Sequence, residues 1–181
     1  MSPRLSILRF CIVLITVITV LGSGQRSVLS ATNLVFTVNS FQDLNYFAVG
    51  NSVCSANQPV DGPCTLRAAI TEANANIATP NQNIVIQLPG GEYDLTIPPD
   101  YLTSDDNHSG DLNIDFVGVT NTNSITIERI GGGQVIIKSA IEDRILSVEI
   151  NNKVFINNLT MRDGNVFLDA NNNSGGSGHL E

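Results

Sequence analysis

A chain of 181 residues, 42% of them hydrophobic and 14% charged, is long enough for one globular domain and too short for several. Seventeen acidic residues against nine basic ones give a formal charge of -8. An acidic surface of this kind repels phosphate backbones, which makes nucleic acid a poor partner.

The first element is not part of a fold. Arg4 and Arg9 precede an uncharged apolar run at residues 10–21, and small residues follow up to Ser30 and Ala31. That order is the order of a secretory signal. The run falls short of the about 20 apolar residues that a membrane span needs. Residues 1–31 are therefore expected to be a signal peptide cut near Ser30 or Ala31, with an uncleaved anchor as the alternative. No cysteine stands after the run where a lipid could be attached. Cleavage would remove Arg4, Arg9 and Arg26 and no acidic residue, leaving six basic residues against seventeen acidic ones and a net charge of -11. The expected location is extracellular or at the cell surface, with no stable membrane span after cleavage.

Cysteine use agrees with export. Cys11 leaves with the signal, and Cys54 and Cys64 remain as an even pair. In an oxidising compartment they are expected to close a disulfide worth roughly 2 to 3 kcal/mol for a loop of this size; two free buried thiols are the alternative.

Leu34, Phe36 and Val38 alternate along residues 33–39, as in a strand with one buried face. A polar loop over residues 40–63 ends in the turn cluster Asp61, Gly62 and Pro63. Over residues 64–76 the period changes, with Leu66, Ala69, Ile70 and Ala73 at i, i+3, i+4 and i+7, which predicts an amphipathic helix over 65–76. Thr65 is placed to cap it, and Asn74 or Asn76 to end it in a left-handed conformation. Beyond Thr79 only short β-branched runs recur, at 83–88, 93–97, 111–116, 124–130, 134–138, 144–150 and 153–161, separated by Gly, Asn, Asp and Pro. Centres at Thr126, Ile136, Leu146 and Phe155 are about ten residues apart. Three strands then make one turn before Phe155 stacks above Thr126, which is the dimension of a parallel β-helix coil with three sheets. Side chains such as Ile125, Ile127, Ile145, Val148, Val154 and Ile156 would fill its narrow core. An antiparallel sandwich has a similar strand spacing and remains the alternative. The division expected is an N-terminal cap over 32–82, the first coils over 83–168, and an Asn- and Gly-rich tail over 169–181 that is flexible or truncated.

Cys54, Cys64, Thr65, Leu66, Arg67, Ala69, Ile70, Glu72, Ala73 and Asn74 together resemble the domain known by its motif Cys-Ser-Leu-Arg-Glu-Ala (CSLREA). The turn at residues 88–93, the segments 110–114 and 159–164, and Asp143 with Arg144 extend the likeness over nearly all of the mature chain. The resemblance implies the N-terminal domain of a bacterial secreted protein with a right-handed parallel, pectate-lyase-like β-helix. It also implies that the helix covers the open first coil, whose bare strand edges would invite aggregation. One departure is Ala68, where the motif has Glu. Ala68 cannot complete a capping box, so the helix start is expected to be weaker by about 1 kcal/mol, with Thr65 as sole cap. A second is length: little more than one regular coil is present, so the chain reads as the front of something longer or as a truncated copy.

Chemistry is sparse. Asp100, Asp105, Asp106, Asp111 and Asp115 form an acidic cluster in which Asp105, Asp106 and Asp111 are weak candidates for a loosely bound calcium ion; solvated loop carboxylates are the commoner case. No separation of a carboxylate pair for sugar hydrolysis can be fixed. Asp169, Asn171 and Asn173 alternate like calcium-loop ligands, but Ser174 replaces the Gly and Leu180 the bidentate Glu. His108 and His179 are too isolated for zinc and read as solvated loop residues. Arg67, beside the apolar stripe, is expected to bind loop carbonyls or a carboxylate near the disulfide loop. The sequons at Asn107, Asn158 and Asn172 matter only in a eukaryotic secretory route.

No catalytic residue, cofactor or firm metal site is expected. The function expected is a structural, adhesive or ligand-binding surface module, with carbohydrate or cell-surface components as partners. The alternative is the N-terminal part of a carbohydrate-active enzyme such as a polysaccharide lyase or glycosidase. A lyase needs a base, for which Arg129, Lys138, Arg144 and Arg162 are available, beside a calcium-binding patch.

Overall fold

A computed structural model describes residues 32–57, 61–79, 82–100, 107–115, 123–149 and 153–165. The expected signal, Asp105, Asp106, His179, the sequon at Asn172 and the tail lie outside the described residues. By its contacts the chain divides into Met1–Ser30 and Ala31–Glu181, and all described residues belong to the second.

The described elements are β1 (Thr32–Thr37), α1 (Leu66–Asn76), β2 (Gln82–Leu95), β3 (Leu112–Ile114), β4 (Ile125–Ser139), β5 (Leu146–Val148), β6 (Val154–Asn157) and β7 (Thr160–Arg162). Every ladder between them is parallel. β1, β2, β4 and β6 pair in that order, β7 pairs with the second half of β4, and β3 pairs with β5. The antiparallel alternative is overturned, since the antiparallel pairing described is the isolated bridge between Tyr46 and Ala56.

Register follows the apolar alternation. Phe36, Ile86, Ile127 and Ile156 are aligned across four strands on the face that is buried in the first three. A one-residue slip would turn that whole row to solvent. Thr126 pairs with Phe155, as the spacing of the strand centres expects. In the second half of the long strands Tyr93, Ile137 and Met161 align, and all three are buried.

Three boundaries differ from the sequence reading. The runs 83–88 and 93–97 are one strand, β2, whose register with β4 shifts between Pro89 and Gly91; 124–130 and 134–138 likewise join as β4. Glycine makes the shared corner possible. A Cβ on Gly90 would enter the backbone of Gly132 and Gly133, and one on Gly91, at φ +157, would enter the Phe41 ring. Conversely, 153–161 is two strands, broken at Asn158, which has φ 58.

The helix begins as expected, with Thr65 extended and its hydroxyl accepting from the Ala68 N–H. It ends differently. Ile77 closes it with a right-handed backbone and donates to the Ala73 carbonyl. Asn74 and Asn76 do not turn left-handed because their side chains are otherwise engaged, Asn74 across to Asn113 and Asn76 back to Glu72. No helix among the described residues is long and apolar enough to cross a membrane.

Candidate functional site

The motif residues converge on one structural locus. Leu66, Ala69, Ile70 and Ala73 enter the main core. The opposite side of α1 is covered too, because Arg67, Ala68, Thr71 and Glu72 are also buried. The covering material is the loop over residues 40–57, held from both ends. Cys54 and Cys64 are joined by a disulfide with Cα atoms 5.1 Å apart. The Thr65 hydroxyl donates to the Leu44 carbonyl. The Glu72 carboxylate accepts from Gly50 and Ser52 N–H groups and from the Asn76 amide. Gly50 and Ser52 have positive φ, a conformation in which their N–H groups can converge on one anion.

Arg67 is the centre of the locus. Its side chain is fully buried, and its guanidinium grips Asp43 in a two-point contact, Nε to Oδ1 at 2.6 Å and Nη2 to Oδ2 at 3.0 Å. Its remaining donors reach the carbonyls of Asn107, Gly110 and Asp111 at 3.3, 2.8 and 3.2 Å. Five donors thus meet five acceptors, the full capacity of the group. Asp43 Oδ2 also accepts from the Thr96 and Ile97 N–H groups, so one ion pair ties together α1, the disulfide loop, the end of β2 and the loop before β3.

These contacts also close a strand edge. In a parallel strand, alternate residues present their N–H and C=O groups to opposite edges. Leu112 and Ile114 serve the β5 side, through Leu112 N–H to Ile145 and Glu149 N–H to Ile114. The other edge belongs to Asp111 and Asn113, and side chains complete it. Arg67 donates to the Asp111 carbonyl, and Asn74 and Asn107 donate to the Asn113 carbonyl. Asn107 Oδ1 accepts the Asn113 N–H, and Asp143 accepts the Asp111 N–H. The helix and its loop therefore stand where a neighbouring strand would be.

A second cluster lies on the exposed face of the other ladder. Asp94, Lys138 and Arg162 share one register. Lys138 Nζ is 2.8 Å from Glu92 and 3.3 Å from Asp94, and Arg162 reaches Glu92 at 3.4 Å. The Lys138 hydrogen bond and charge hold the Glu92 carboxyl below its ordinary range, and the same carboxylates raise the Lys138 ammonium. A lysine held protonated in this way has the reverse of the tuning that a general base needs.

Among the described residues the other sequence candidates do not come together in one site. Asp111 is 2% exposed and carries an ion pair to Arg144 at 2.9 Å. No group of three or more His, Cys, Asp or Glu among the described residues could hold a metal ion. His108 is exposed but not simply solvated, since its ring lies 4.7 Å from that of Tyr46, whose hydroxyl is 3.2 Å from Nδ1. Arg129 bonds the Gly133 carbonyl at the corner of its own strand. The sequon asparagine Asn107 is 2% exposed and spent on Asn113. Sequence reasoning missed Asp43, Asn107 and the Glu92–Lys138 pairing, because each depends on register or loop closure that no local pattern announces. Compared with family models, with curated proteins and with solved structures, the chain matches none.

Proposed function

We propose that this chain is a secreted or cell-surface module in which the parallel ladders wind as a right-handed β-helix and the disulfide-braced α1 caps its N-terminal end. Right-handed crossover is the nearly universal hand for parallel strands in one sheet. The observation that carries the reading is the occupation of the β3 edge by Arg67, Asn74 and Asn107, since closing an edge is the task of a solenoid cap. The likeness to the CSLREA domain and the signal-like N-terminus give it a place outside the cell. Its work there is structural, adhesive or ligand-binding, with carbohydrate or cell-surface components as partners, no catalysis and no required cofactor.

The test opens the edge. Arg67→Ala combined with Asn74→Ala should expose the Asp111 and Asn113 carbonyls and promote association beyond that of the unmodified chain in sedimentation velocity. A double variant that sediments and melts like the parent would end the cap reading. Export is checked separately, by the N-terminal sequence of protein recovered outside the cytoplasm; an intact Met1 on exported protein would exclude cleavage.

A further inference from the structure

We draw no further inference here: the strongest candidate, the charged cluster of Glu92, Asp94, Lys138 and Arg162 on the outward face across β2, β4 and β7, pairs its charges with one another, and nothing in the structure points to a ligand for it.

Discussion

Arg67 is buried together with the Asp43 carboxylate, and its five donors are all met, so each lost contact leaves an acceptor in a place that water does not reach. Lysine keeps the charge but brings three donors and no planar fork. Arg67→Lys is expected to lower stability by about 2 kcal/mol. Arg67→Met should cost about 3 to 5 kcal/mol, because it strands a buried carboxylate. Urea unfolding with the disulfide intact measures both, and an unchanged midpoint for Arg67→Lys would remove the structural role assigned to this residue. That Arg67 would be structural was legible from its place beside an apolar helical stripe. Its partner was not: Asp43 lies in a polar loop 24 residues earlier, and nothing in that loop distinguishes it from a solvated carboxylate. Glu72 is similar, a helix residue that is buried because the loop's N–H groups fold onto its carboxylate.

At the scale of elements, the helix was readable because four apolar residues at helical spacing and a Thr cap agree. The pairing of Phe155 with Thr126 was readable because the short strands between them recur at an even spacing. The earlier interval was not, since the pairing of Val85 with Thr126 spans β-branched runs that do not recur at an even spacing. Two predictions belong here. Reduction of the Cys54–Cys64 bridge should cost roughly 2 to 3 kcal/mol and speed amide exchange first at Gly50 and Ser52, the loop amides held by Glu72; uniform loss of protection would show that the loop does not open by itself. The Tyr93 hydroxyl donates to the Pro89 carbonyl at 2.9 Å, and burial pushes its pKa up from 10.0 to about 12. The folded state thus favours the neutral phenol, so this contribution is full below pH 10 and fades as pH rises toward 12. Melting temperature against pH should therefore fall more steeply for the parent than for Tyr93→Phe over that interval. At neutral pH the variant should be less stable by about 1 kcal/mol, the worth of one hydrogen bond. Parallel curves would place Tyr93 in water.

Across the whole molecule the two ends of the ladders differ in kind. Beside β3 the edge is closed by α1, Arg67, Asn74 and Asn107. At β6 no strand pairs with the outer edge among the described residues, and the inward row shows the consequence. Phe36, Ile86 and Ile127 are 4%, 0% and 1% exposed, whereas Ile156, in line with them, is 36% exposed, and Val148 on β5 is 44% exposed. The same alternation that buries an isoleucine between two rungs leaves it bare on the last one, so this exposure is a property of position in the stack and could not be read from residue type. An unpaired strand with apolar side chains on its core face is a template for strand addition. The full chain is therefore expected to associate reversibly through β6 as its concentration rises. Its acidic charge opposes contact between copies, so added salt should strengthen the association by screening. Ile156→Lys places a charge on the row that a docking strand would cover and should hold the protein monomeric under the same conditions. Sedimentation equilibrium across protein and salt concentration makes the comparison. A parent chain that stays monomeric at high salt, or an Ile156→Lys variant that associates as readily as the parent, would mean that the β6 edge is already closed by something other than the elements described.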